Sequence, residues 1–167
     1  MTFNPDIHHR RSIRLKEYDY TKAGAYFVTI CLFQRECLCG CVIDGEMQLG
    51  ESGLAVQDAW DDLPNHYSHV ELDQFIVMPN HVHGIVLLDN SERESERHGL
   101  SEIVRAFKTF SAKRINKLRD NPGCSVWQRN FYERVIRTEQ ELSKAREYIV
   151  NNPLKWDLDR ENPINSA

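Results

Sequence analysis

Two histidines one residue apart, His81 and His83, stand in the stretch Met78-Pro79-Asn80-His81-Val82-His83-Gly84. In a β-strand, alternate side chains share a face, so both imidazoles point one way and Val82 and Gly84 the other. Two imidazoles at that spacing can grip one divalent metal ion, given a third ligand from elsewhere in the chain. A pair of hydrogen-bonded or surface histidines leaves the same pattern. A segment near the C-terminus offers the third ligand. Tyr148 and Asn152 are four residues apart and stack on one helix face, with Lys144 one turn earlier on the same side. The apolar stripe Leu142, Ala145 and Ile149 runs beside that line. The helix can therefore bury its stripe while holding the polar line at a site. A tyrosine hydroxyl attacks phosphorus once deprotonated, but its free pKa is near 10. A metal-bound phosphate and a cation such as Lys144 would help it ionise. Most helical tyrosines simply pack.

The elements that must position these groups are legible in the pattern. Ala25 to Phe33 is aromatic and β-branched and reads as a strand. Leu38 to Leu49 carries Asp44-Gly45 between apolar stretches, a hairpin signal. Val56, Ala59, Trp60 and Leu63 mark an amphipathic helix around residues 52–63, which Pro64 should end. Leu72 to Met78 and His81 to Leu88 read as strands joined by a tight turn at Pro79-Asn80. Leu100, Ile103, Val104, Phe107, Ser111, Ile115 and Leu118 trace one face of a second helix, broken at Asn121-Pro122-Gly123. Val126 to Arg137 reads as an extended strand, and Thr138 with Glu141 as the capping box of a third helix that stops at Asn152-Pro153. The pattern predicts an α+β fold, a central antiparallel sheet with helices on one face. Residues 1–22 read as a basic arm, 23–157 as the domain and 158–167 as a tail.

At 167 residues, with 41% hydrophobic and 28% charged residues, the chain is long enough for one well-packed domain. No apolar run approaches the roughly 20 residues of a membrane helix, and no signal peptide is visible. The expectation is a cytoplasmic protein with no membrane partner. The net charge of −4 hides a polarised distribution. From Glu36 to Asn90 there are ten acids and no Lys or Arg, whereas Arg93 to Arg119 holds eight bases and three acids. One half can repel a polyanion while the other attracts it.

The five cysteines include Cys37-x-Cys39-x-Cys41, but one-residue gaps do not suit zinc, so small core or surface thiols are expected. No Walker loop, dinucleotide fingerprint or nucleophile-elbow motif is present. Trp127, Phe131 and Tyr132 lie among arginines in VWQRNFYERVIR, which suits either base stacking or a core strand.

Taken in order, RRSIRLKEYDY, GAYFVTICLF, MPNHVHGIV, LSEIVRAFKTFSAKRIN, VWQRNFYERVIR and YIVNNPLKW cover most of residues 10–157. Together they resemble the single-tyrosine HUH-endonuclease transposases, particularly the bacterial REP-associated tyrosine transposases. The resemblance implies a ferredoxin-like fold, His81 and His83 as metal ligands, Asn152 as a polar third ligand, and Tyr148 as nucleophile. It implies Mg²⁺ or Mn²⁺ as cofactor and single-stranded DNA with a repeat-palindrome hairpin as partner. A covalent 5′-phosphotyrosine intermediate would conserve the phosphodiester energy for rejoining. Relatives work as homodimers or as monomers, in the bacterial cytoplasm at the nucleoid. Arg10, Arg11 and Arg14 of the arm, Lys108, Lys113, Arg114 and Lys117 of the second helix, Arg134 and Lys144 are the expected DNA contacts. Arg134 stands where relatives commonly carry a histidine, and it could contact phosphate instead.

Two other readings fit the residues. One is a domesticated module that binds a DNA or RNA hairpin without cutting it, since exposed strand aromatics also serve RNA-binding sheets. The other is a metal hydrolase of small phosphate esters, which lacks the extra carboxylates a two-metal site needs.

Overall fold

The computed structural model describes residues 23–89 and 98–165. The basic arm with Arg10, Arg11 and Arg14, and the tail end 166–167, lie outside the described residues. The elements run β1 (Gly24–Cys31), β2 (Gly40–Ile43), β3 (Glu46–Leu49), α1 (Glu51–Asp61), α2 (Leu63–His66), β4 (Val70–Val77), β5 (His81–Leu88), α3 (Leu100–Leu118), β6 (Tyr132–Ile136) and α4 (Glu139–Val150). Short 3₁₀ turns follow α4 at Pro153–Leu158 and Pro163–Asn165.

The main sheet has the order β4-β5-β1-β6, and every pairing is antiparallel. With α1 and α3 as crossovers this is the ferredoxin-like βαββαβ arrangement. The β2–β3 hairpin is inserted after β1, and its turn residues Asp44 and Gly45 both have positive φ, 51° and 76°, as a two-residue hairpin requires.

The alternation of β1 divides the core. Tyr26, Val28 and Ile30 face α1 and α3, in a cluster with Trp60, Val82, Val86, Ile103 and Phe107. Phe27 faces the other way and packs with Ile85, Ile136, Ala145 and Ile149. Helices therefore cover both faces. The expectation of a single helical layer held for α1 and α3, but the apolar stripe of α4 needs a surface of its own and finds it behind Phe27.

Two boundaries also differ from the pattern. Pro64 does not simply end α1; it opens the short α2, where a missing N–H costs nothing. Only Tyr132–Ile136 of the expected 126–137 strand pairs in the sheet. The indole of Trp127 is buried and donates to Ser111 Oγ at 2.9 Å, and its backbone makes only an isolated bridge to Leu32.

Candidate functional site

Strand β5 places His81 and His83 on the α4 side of the sheet, while Val82 points into the opposite core. Gly84 also faces that core. A Cβ there would lie 2.5 Å from Trp60 Cζ2 and 2.9 Å from Phe75 Cδ2, so the Trp60–Phe75 stack leaves room for nothing larger. The residues between and after the two histidines thus seat the strand, and the histidines are free for chemistry.

Both imidazoles are buried, and their Nε2 atoms approach to 3.1 Å. Each Nδ1 is held. Asn80 Nδ2 donates to the carbonyls of Arg35 at 3.2 Å and Glu161 at 2.6 Å, which leaves Oδ1 to accept from His81 Nδ1–H at 2.8 Å. His81 Nε2 therefore carries a lone pair. His83 Nδ1 meets Thr29 Oγ1 at 2.8 Å, a hydroxyl that can accept or donate. When it accepts, both Nε2 lone pairs converge on one point; when it donates, His83 Nε2–H bonds to His81. Burial pushes the His81 pKa down to about 4, against the opposing pull of the Asp159 charge and of Asn152. His83 is also held well below its usual value by burial and by His81. Both rings are neutral near pH 7, the form that ligates metals.

Helix α4 begins at Thr138, whose Oγ1 accepts from Glu141 N at 3.1 Å, while the Glu141 carboxylate accepts from Arg137 N at 2.7 Å. Arg146 ties the helix to the sheet through Asp73, at 2.8 and 2.5 Å. Thus docked, α4 sets the Tyr148 ring 5.2 Å from that of His83 and 5.9 Å from that of Phe27, in edge-on contacts. Burial raises the Tyr148 pKa, with Asn152 pulling the other way. The tyrosine by itself is therefore not ionised near pH 7.

Asn152, just past α4, is buried, and its carboxamide lies against both His81 and Tyr148. Its Oδ1 has no hydrogen-bond partner. An orphaned buried oxygen beside two neutral imidazoles fits a divalent cation. No group of three His, Cys, Asp or Glu side chains suited to a metal occurs among the described residues. The donor set is two nitrogens and one amide oxygen.

His83 and Tyr148 open onto a cleft of about 730 Å³, while His81 and Asn152 are buried behind it. Lys144 and Arg134 line it beside Tyr148, as do Asp159 and Glu161. The segment after α4, part of it expected as a mere tail, folds back here. Trp156 lies 6.0 Å from the His81 ring, and Arg35 pairs with Glu161 at 3.2 Å.

The second-helix cations are placed differently. Lys113, Arg114 and Lys117 belong to α3, which packs on the face away from His81 and His83. Arg114 pairs with Asp62 at 3.5 Å. Lys108 does not present its charge outward. Its ammonium donates to the carbonyls of Gln128, Arg129 and Asn130 at 2.8, 3.2 and 3.3 Å. Burial lowers its pKa to about 8. The residues that sequence reasoning missed are Thr29, Asn80, Phe27, Trp156 and Asp159. Only Asn80 carried a signal, as a polar residue beside the histidine pair. The cysteines are all free thiols, with only Cys39 buried.

A ferredoxin-like sheet with a His-x-His pair on one face, opposed by a helix-borne tyrosine, defines the class of protein. Residues 58–152, more than half of the chain, match the family model described as "Transposase IS200 like", and the chain belongs to that family. It is 39% identical to a Haemophilus influenzae protein that carries no functional name, covering 95% of this chain and 96% of that one. A second protein of that organism, provisionally designated a REP-associated tyrosine transposase, is 26% identical over 82% of this chain and 74% of its own. The fold superposes on the structure of a REP-associated tyrosine transposase bound to a REP hairpin. The TM-score is 0.61 at 22% identity, covering 86% of this chain and 74% of that one. Among the described residues no helix is long and apolar enough to cross a membrane.

Proposed function

We propose that this transposase-family protein binds hairpin-bearing single-stranded DNA and nicks and rejoins it through Tyr148. The observation that carries the reading is that Tyr148 and His83 meet at 5.2 Å in one cleft, with His81 and the orphaned Asn152 Oδ1 buried directly behind them. His81, His83 and Asn152 would hold a divalent cation, Mg²⁺ or Mn²⁺. When bound, that cation supplies charge neutralisation at a phosphate and polarises its P–O bond.

The chain's own groups do the rest. Phe27 and the docked α4 orient the Tyr148 ring. Asn152 favours the phenolate. Arg134 and Lys144 lie in the same cleft and supply positive charge for a DNA phosphate. In the reaction the Tyr148 oxygen forms a bond to phosphorus and the P–O3′ bond breaks. The tyrosine proton leaves to solvent or to a cleft carboxylate such as Asp159, and the departing 3′ oxygen takes up a proton. The products are a 5′-phosphotyrosine and a free 3′-hydroxyl, and the reverse attack reseals the strand. All these groups come from one chain, which supports action as a monomer. The REP hairpin bound by the structural relative supports a palindromic repeat as the partner here.

The test uses 5′-labelled single-stranded DNA from palindromic repeats beside the protein's own gene, with Mn²⁺ or Mg²⁺. A shortened strand and a covalent adduct are expected, both lost with EDTA and in Tyr148→Phe. Tight binding by the wild type without an adduct under either metal would replace this reading with a non-cutting hairpin-binding module.

A further inference from the structure

We infer that Tyr132 is a stacking platform for one base of the single-stranded DNA, the base whose phosphate lies at the Tyr148 site. The inference rests on the nuclease reading for its substrate, but its observations are separate.

The sheet register puts four residues in one row across the strands: Ile76, His83, Thr29 and Tyr132. Tyr132 thus lies on the same face as His83, two strands away, which is about 10 Å at the usual strand spacing. A single nucleotide spans that gap, with its phosphate at the histidines and its base towards β6. The same cleft contains both ends of the row that matter, since His83, Tyr148 and Tyr132 all line it.

The aromatic residues of this stretch divide by role. Trp127 is buried with its N–H satisfied, and Phe131 packs on the core beneath the Lys108 ammonium at 5.5 Å. Tyr132 is 42% exposed, and among the described residues its side chain has no hydrogen bond or ring contact. Packing therefore explains the first two rings and leaves the third unused. Its backbone is nevertheless well fixed. It pairs with Thr29, and the loop leading to it is pinned where Lys108 gathers the carbonyls of residues 128–130. An exposed ring on a firmly held backbone, in the cleft of Tyr148 and next to Arg134, suits a nucleobase. Base–aromatic stacking tolerates any base and needs only an accessible face.

The experiment uses a hairpin oligonucleotide with single-stranded flanks, in which 2-aminopurine is walked through the flank and, separately, each position is made abasic. On binding, 2-aminopurine fluorescence is expected to fall at one position beside the cleaved bond. The quench should vanish in Tyr132→Ala and persist in Tyr132→Phe. An abasic residue at that position should slow wild-type nicking about ten-fold, the weight of one lost stack, and should not slow Tyr132→Ala further. Thermal melting checks that Tyr132→Ala is folded. An undiminished quench in Tyr132→Ala, no quench at any position, or an equal abasic penalty in both proteins would overturn the inference. If the wild type fails to nick but the quench still depends on Tyr132, the platform stands and the nuclease reading falls. If it nicks and Tyr132→Ala matches it on both substrates, the platform alone falls.

Discussion

Asn80→Ala should damage both the fold and the proposed metal site, by amounts that the hydrogen bonds fix. The Asn80 side chain is 1% exposed and makes three bonds, to Arg35 O, Glu161 O and His81 Nδ1. Truncation leaves the buried His81 Nδ1–H and the Glu161 carbonyl without their partner, at about 1–3 kcal/mol for each unmet group. The longer bond to Arg35 O is a minor contribution. The total is about 2–6 kcal/mol out of a typical 5–15. For a chain of this size that lowers Tm by roughly 4–24 °C, readable by thermal unfolding. The second consequence is chemical. With nothing to hold the proton on Nδ1, His81 loses its fixed tautomer, and divalent-metal affinity should fall about 10–100-fold by titration calorimetry with Mn²⁺. Asn80→Asp should be worse than alanine for stability, because it sets a second acceptor against the two carbonyls. A Tm within a degree or two of wild type in Asn80→Ala, with unchanged Mn²⁺ affinity, would refute the argument that this side chain fixes His81.

Other perturbations follow from the same geometry. Arg146 holds the Asp73 carboxyl below its usual range, so this contact is intact above about pH 4 and is lost as pH falls through the depressed value. Protection factors of α4 amides, corrected for intrinsic exchange, should fall in that acid window in the wild type, and should already be low at neutral pH in Asp73→Asn. Gly84→Ala forces a methyl against Trp60 and Phe75 and should cost about 1–3 kcal/mol in urea unfolding, with a change in tryptophan emission. Lys108→Met should speed proteolysis within residues 128–131 while leaving the salt dependence of DNA binding unchanged, because the ammonium is committed to carbonyls. Arg134→Ala or Lys144→Ala should each lower that salt slope by about 1, and an unchanged slope would remove them from the DNA path.

Much of this was readable in the chain because it is local. The strand His81–Leu88 and the helix Leu100–Leu118 coincide with their apolar patterns, and Thr138 caps α4 as the Thr-x-x-Glu spacing requires. The pairing of His81 with His83 on one face needs only strand alternation. Less legible were features that depend on distant partners. A lysine in a basic helix reads as a phosphate contact, but Lys108 is captured by a loop twenty residues later. The aromatic run around residue 130 could be core or surface, and it proved to be both, ring by ring.

By itself the sequence determined the α+β class, the histidine pair and the face of α4 that carries Lys144 and Tyr148, since each depends on a period of two or of 3.6 residues. Only the tertiary structure decided that α4 lies on the sheet face opposite α1 and α3. That choice follows from where Phe27, Ile85 and Ile136 leave an apolar surface uncovered. Only it showed the chain after Asn152 returning to place Glu161 O against Asn80, with Asp159 in the cleft. Contacts of this kind join residues more than eighty positions apart, and their energies come from burial and hydrogen-bond satisfaction that no local pattern records.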